Sequence, residues 1–243
     1  AIALNKINCH VIALIPARSG SERIKNKNLL KLRGKTLLKI AVENALKSKI
    51  FKKIIVSTDS KKYAHLAKKY GADVPFLRPK KLASATSTDY DWVLYTLKKI
   101  EAMDNGFTHF FILRPTSPFR SYKTILRAWK TFKQSKKTES LRAVELCKQH
   151  PYKMWTKKGK NIQPLFYKTL IKQPAYNVQF KTLPKIYIQN ASIEISKINV
   201  IKKYNSITGK KIIPFFTNRK EGFDINYKED VFLMNKIKNK NLN

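Results

Sequence analysis

Apolar positions in this chain alternate between short unbroken runs and longer stretches of helical period. Val11–Pro16 is the first run, six apolar or small residues that read as a strand buried on both faces. Over 36–48, Leu37, Leu38, Ala41, Val42 and Ala45 share one face and predict a helix. Residues 54–57 form a second short strand that ends in Thr58-Asp59-Ser60, a start signal for a helix over 61–70 closed by Gly71. Residues 74–77 predict a third strand. Ser87 or Thr88 can cap a helix reaching Met103, with Asp89 and Asp91 in the first turn, where the helix dipole favours anions. Residues 110–113 predict another strand, followed by the loop RPTSPFR and a helix near 121–135. Strand and helix alternate as in an α/β doubly wound, mostly parallel sheet, whose ligands sit at the carboxyl ends of the strands.

The second half is less regular. Residues 141–147 can form a strand, whereas 150–173 mixes proline, lysine and aromatics with no clean period and reads as an excursion from the sheet. A strand over 186–195, interrupted at Gln189-Asn190, then one over 212–217 and a helix from about 228 to 238 return to the main body. The whole 1–243 is expected to be one domain, with 148–182 as a small excursion inside it.

Composition narrows the class. The 51 Lys and Arg against 15 Asp and Glu give a formal net charge of +36. The lysines are spread along the whole chain and no nucleic-acid motif accompanies them, so no specific nucleic-acid partner is expected. No run of 18 apolar residues exists and no signal-peptide pattern opens the chain, which predicts a soluble cytoplasmic protein with no membrane partner. Cys9 and Cys147 stand alone and suggest neither a zinc site nor a disulfide framework. Arginine is more informative: only nine of the basic residues are Arg, and Arg18, Arg78, Arg114 and Arg120 fall at predicted strand ends or in the loops after them. There a planar fork can grip carboxylate, phosphate or a base edge.

The loop after the first strand holds Ala17, Arg18, Ser19, Gly20, Ser21, Arg23, Lys25 and Lys27, small and cationic residues able to converge on phosphates. It matches neither GxxxxGK[ST] nor GxGxxG. The string IPARSGSERIKNKN does resemble the nucleotide-binding signature of the CMP-sialic acid synthetases (acylneuraminate cytidylyltransferases), usually IPARxGSKxIPxKN. Five further strings follow in the family's order: IIVSTD at 54–59, FLRPKKLAS at 76–84, ILRPTSPFR at 112–120, LPKIYIQNASIEI at 183–195 and FDINYKED at 223–230.

The resemblance, covering roughly 11–234, implies a Rossmann-type, nucleotide-diphospho-sugar transferase-like fold with an excursion that makes a homodimer. It implies transfer of CMP from CTP to a keto sugar acid of the sialic, legionaminic or pseudaminic type, with magnesium as cofactor and pyrophosphate released. Arg18, Lys27 and Asp224 take the catalytic positions. Ala17, Arg18, Ser21, Lys27, Asn28, Arg78 and Ser87 fall where the family holds the nucleotide, Arg78 at the cytosine edge. Arg114, Pro115, Thr116, Ser117, Gln189 and Asn190 fall on the sugar side, and Asp224 with Asn226 at the metal. The chain also departs from the pattern. Glu22 stands where the family usually has Lys, Arg114 where it has Gln, Ala191 where it has Gly, and Asn226 where it has a second Asp. Gln179, Phe180 and Lys181 occupy the region of a customary Arg-Gln pair. These departures cluster on the sugar and metal side, which implies either an unusual acceptor or reduced activity. Three alternatives stand beside the main reading: transfer to an octulosonate-type acid, a nucleotide-binding paralogue that has lost catalysis, and a basic nucleic-acid-binding module.

Overall fold

The computed structural model describes residues 10–104, 106–134, 136–170, 172–218 and 220–239. Cys9 and the expected helix end at Ser135 lie outside them.

Strand β1 (Val11–Pro16) leads through a long loop to a two-residue hairpin, β2 (Lys31–Leu32) and β3 (Lys35–Thr36). The hairpin turns on Arg33 (φ 52°) and Gly34 (φ 78°), both left-handed as a tight type I′ connection requires. Helix α1 (Leu37–Ser48) follows, capped by the Thr36 side chain. Then come β4 (Lys53–Ser57), α2 (Lys61–Lys69) and α3 (Asp89–Met103). Ser60 caps α2, and Thr88 with Asp91 forms a capping box on α3, as the start signals predict. Strand β5 (His109–Ile112), helix α4 (Tyr122–Lys133) and strand β6 (Ser140–Leu146) complete the first half.

The second half adds the hairpins β7 (Trp155–Lys158) with β8 (Asn161–Pro164) and β9 (Thr169–Leu170) with β10 (Gln173–Pro174). It continues through β11 (Tyr187–Lys197), α5 (Asn199–Tyr204), β12 (Ile212–Phe216) and α6 (Lys228–Asn239).

The central sheet is mixed and mostly parallel, in the order β12-β6-β11-β5-β1-β4. Strand β1 pairs in parallel with β4 and with β5, while β11 runs antiparallel to β5. Alternation sends successive side chains to opposite faces. Val11, Ala13 and Ile15 enter one core with Leu38 and Val42 of α1, Tyr63 of α2, and Ile125 and Trp129 of α4. Ile12 and Leu14 enter the other with Trp92, Val93 and Leu97 of α3. Each fully buried Val, Leu or Ile side chain among them contributes roughly 1.5–3 kcal/mol by leaving water. Burial on both faces explains why β1 contains no polar residue.

The structure corrects three expectations. Residues 74–77 are not a strand: Asp73 alone bridges Ile55 in parallel, and Pro75, lacking an N–H, cannot extend the ladder. Strand β11 runs unbroken through Gln189-Asn190, because the ladder is made by backbone groups and tolerates polar side chains. The irregular stretch after His150 contains the two hairpins, each too short and too exposed to leave a periodic pattern.

The chain divides into two compact units, one running up to Ala143 and resuming at Asn190, the other Val144–Gln189. Within the second unit, the buried His150 ring accepts the Tyr152 N–H at Nδ1 and contacts the Pro184 carbonyl oxygen at 3.0 Å through Nε2. Trp155 packs on Tyr176 with ring centroids 4.8 Å apart. Leu165, Phe166 and Tyr167 remain exposed beyond β8.

Candidate active site

Because β4, β1 and β5 are parallel, their carboxyl ends share one edge of the first unit, and the loops leaving them carry the polar residues. The loop after β1 is fastened from below. The Ala17 N–H donates to the Ser57 carbonyl at 2.9 Å, and Asp59 accepts both the Ser19 N–H (2.8 Å) and the Ser19 hydroxyl (2.7 Å). The buried Asn28 donates its amide to the Arg18 carbonyl at 3.2 Å. Arg18 then reaches across to donate to the Ser84 carbonyl at 2.8 Å. At Gly20 nothing lies within 4 Å of an added Cβ, so protein packing alone does not require glycine there.

Lys27 donates to the Ile225 carbonyl at 2.9 Å. Burial holds its ammonium below the ordinary lysine range; Asp224 opposes that shift, while Arg23 and Arg18 reinforce it. Arg78, 4% exposed, donates to the Ser57 hydroxyl (3.0 Å) and carbonyl (2.8 Å) and lies 4.7 Å from the Trp92 ring centroid. Burial lowers it to about 10, against the pull of Asp59 and Asp89 and with the help of Arg18, so it is charged at neutral pH.

These loops enclose a cavity of about 310 Å³. Of the residues the sequence singles out, Arg18, Ser21, Lys27, Asn28, Arg78, Ser87, Arg114, Pro115, Thr116, Asp224 and Asn226 line it. Ala17 and Ser117 do not: both are buried beneath their loops. Asn190 turns its amide to the Thr217 hydroxyl at 2.8 Å, whereas its neighbour Ala191 lines the cavity. Gln189 is an exposed residue of the second unit. The fourth singled-out arginine, Arg120, is fully buried. It donates to the carbonyls of Arg114 (3.0 Å) and Ser192 (2.8 Å), holding the loop after β5 against β11. Burial and then Arg114 push it down to about 9, opposed by Asp224.

The structure adds residues that the sequence reading left out. Asp89, read only as a helix-turn anion, lines the cavity and accepts from the Trp92 indole N–H (2.8 Å) and from Arg114 (2.5 Å). On its other side Arg114 meets Glu194 of β11 at 2.7 Å, and Glu194 also pairs with Arg142 of β6. Charges with buried or half-buried side chains inside strands, Glu194 in β11 and Arg142 in β6, were the available signal. Burial lowers the Arg142 guanidinium, Arg114 pushes the same way and Asp89 opposes.

Two buried oxygens facing this cavity, Ser87 Oγ and Asp224 Oδ1, lack a hydrogen-bond partner in the protein. Unsatisfied buried polar atoms are uncommon and point to a ligand. Asp224 Oδ2 accepts from the Asn226 amide at 2.8 Å, which turns that amide's N–H inward. Asp230 takes the Asn226 and Tyr227 N–H groups on one oxygen, both at 2.8 Å, and so serves the backbone. Among the described residues no group of three or more His, Cys, Asp or Glu could hold a metal. One carboxylate with an open oxygen still fits magnesium, which accepts one or two protein carboxylates and completes its shell with phosphate oxygens and water.

A larger depression of about 780 Å³, lined by Leu32, Ile40 and Phe119 together with charged residues such as Glu43 and Glu221, has no buried side-chain polar atom left without a partner among the described residues. Chemistry rather than size selects the smaller cavity.

Comparison with known proteins agrees with this geometry. The family model described as "Cytidylyltransferase" matches residues 12–233. The chain belongs to the cytidylyltransferase family. It is 31% identical to the post-translational flagellin modification protein B of Campylobacter coli, over 96% of this chain and 97% of that one. It is 45% identical over 118 residues to the CMP-N,N'-diacetyllegionaminic acid synthase of Legionella pneumophila, the match spanning 49% of this chain and 51% of that protein. The chain therefore spans about half the length of that relative. In fold it is similar to a solved CMP:2-keto-3-deoxy-manno-octonic acid synthetase complexed with CTP, with a TM-score of 0.68 at 14% identity over 94% and 98% of the two chains.

Proposed function

We propose that this cytidylyltransferase activates a keto sugar acid of the sialic, legionaminic or pseudaminic class with CTP, giving the CMP-sugar and pyrophosphate. The observation that carries the reading is the convergence of Arg18, Lys27, Arg78 and Arg114 with Asp224 on one cavity at the strand ends. The anomeric hydroxyl of the acceptor attacks the α-phosphorus of CTP. A P–O bond to the sugar forms, the bond to the bridging α–β oxygen breaks, and pyrophosphate leaves while the hydroxyl proton passes to water. Such transfer depends on positioning and charge neutralisation more than on covalent participation by the protein. Arg18 and Lys27 would neutralise the triphosphate, Asn28 would fix the loop that carries Arg18, and Ser87 Oγ would find its missing partner on the nucleotide. Arg78, held rigid by Trp92 and, through Nε and Nη2, by Ser57, would present its remaining Nη1 to the cytosine edge. Magnesium, held by Asp224 Oδ1, would supply further charge neutralisation on the phosphates. The reading places the reaction in the cytoplasm, where CTP is made.

Pyrophosphate release tests it, using a panel of sialic, legionaminic, pseudaminic and octulosonic acids with CTP against the other nucleoside triphosphates. Release with CTP and a nine-carbon acid is expected. Preference for an octulosonic acid would select the alternative acceptor, and CTP binding without turnover would indicate lost catalysis.

We also propose that the chain acts as a homodimer through the unit Val144–Gln189, because Trp155, Leu165, Phe166 and Tyr167 are all exposed there.

A further inference from the structure

Four charges alternate in a row that starts at the cavity, in the order Asp89, Arg114, Glu194, Arg142; Asp89 and Arg114 line the cavity and the other two lie behind it. The two carboxylates of this row differ. Glu194, with 7% of its side chain exposed, lies inside the sheet and is also gripped by Arg142, which is itself bonded to the Thr208 hydroxyl. Moving Glu194 would strand a buried charge, a strongly unfavourable change. Asp89 is different. Its side chain is 41% exposed at the cavity rim, in the first turn of α3. Without Arg114, its other oxygen would keep the Trp92 N–H and the helix N-terminus would still favour its charge. Arg114 is thus ion-paired on one side, without a hydrogen bond from its Nη1, to a carboxylate that cannot leave, and hydrogen-bonded on the other to one that can.

We propose that Arg114 is the anchor for the carboxylate of the acceptor, and that Asp89 is its placeholder, holding the guanidinium in position until the substrate's carboxylate takes over. The assignment rests on the keto sugar acid reading above. One carboxylate replaces another on the same nitrogen, so the pairing of Arg114 is preserved while Asp89 keeps the Trp92 N–H and exposes its freed oxygen to solvent. A fork with one immobile partner is preorganised, and a planar carboxylate is the ligand its geometry suits. Arg114→Gln leaves Glu194 paired with Arg142, so the variant retains a balanced interior.

The test compares the best acceptor from the panel with its carboxyl methyl ester, in the wild type, Arg114→Gln, Arg114→Lys and Asp89→Asn. Titration calorimetry with CTP alone serves as the control for folding. Arg114→Gln is expected to raise the acceptor KM by roughly tenfold or more, as loss of a charge-assisted contact does, with the CTP Kd unchanged. Its preference for acid over ester should collapse toward unity. Arg114→Lys, a point charge without the fork, should keep part of that preference. Asp89→Asn should retain the full preference with an equal or lower acceptor KM. Survival of the acid preference in Arg114→Gln overturns the anchor. An acceptor KM raised as far by Asp89→Asn as by Arg114→Gln overturns the placeholder. A wild type that binds CTP but turns over no keto sugar acid overturns the functional reading itself, a result distinct from either.

Discussion

Lys27, proposed above to neutralise the triphosphate, sits at a cost to the folded chain. A lysine whose pKa is lowered on folding is charged against its surroundings at neutral pH. That destabilisation is fully present below the lowered value and fades as pH rises toward the unfolded 10.5. Lys27→Met should therefore melt higher than the wild type at pH 7 without nucleotide, with the gap closing in alkali, and should lose the stabilisation that CTP confers. Calorimetric melting with and without CTP reads both effects. In titrations, Lys27→Ala and Arg18→Ala should each weaken CTP by on the order of 1.5–3 kcal/mol, the usual worth of a charge-assisted contact. Wild-type affinity in both would remove the phosphate site. Asp224 and Asn226 allow a sharper comparison. Asp224→Asn should abolish pyrophosphate release, because it removes the open carboxylate oxygen. Asn226→Asp should leave release equal or higher, with half-saturation at lower magnesium, by replacing an inward N–H with a second acceptor. An active Asp224→Asn would show that this loop holds no metal.

Among the elements, α4 and the segment after β12 are joined by Glu221. Its carboxylate accepts from the Thr124 hydroxyl (2.7 Å), from Arg127 (2.6 and 3.1 Å) and from the Asn218 N–H (2.7 Å). This clasp fixes the chain just before Asp224, and α4 itself follows the loop that carries Arg114. Burial alone would raise the Glu221 pKa, yet Arg127, the Asn218 N–H and Thr124 together hold it below the ordinary carboxylate value. The sign follows from linkage: the stabilisation is complete above the unfolded value near 4.5 and disappears as pH falls through the lowered folded value. Glu221→Gln should cost about 1–3 kcal/mol at pH 7, with the difference from wild type vanishing in acid. Urea unfolding at pH 7 and pH 3 measures both, and an equal deficit at the two pH values would remove the clasp.

For the molecule as a whole, a net charge of +36 opposes self-association. A dimer therefore needs concentrated apolar area, and Val144–Gln189 supplies it in Trp155, Leu165, Phe166 and Tyr167. Light scattering should give twice the chain mass at tens of micromolar, a range that corresponds to about −7 kcal/mol. The double variant Phe166→Asp with Tyr167→Asp should scatter as a monomer. A wild-type monomer under these conditions would contradict the dimer.

What could be read in one dimension was what local physics decides. Burial on both faces forced β1, β4 and β5 to be apolar, so their runs were visible, and Ser60 and Thr88 announced helices through the N–H groups they satisfy. The part of the cavity proposed to hold the nucleotide was legible because its residues in the loop after β1 are near neighbours in sequence, from Arg18 to Asn28. Short elements escaped: the hairpin over Arg33-Gly34 has strands of two residues, and 74–77 looked like a strand until Pro75 denied it a ladder. The charge row at the proposed acceptor site could be read only in part. Arg114 stood out by its motif, but Asp89 and Glu194 lie 25 and 80 positions from it, and Arg142 pairs with Glu194 from yet another strand. Only the sheet, by placing β5 beside β11, brings those charges together, and a charge in a strand declares its partner only when the strands are paired.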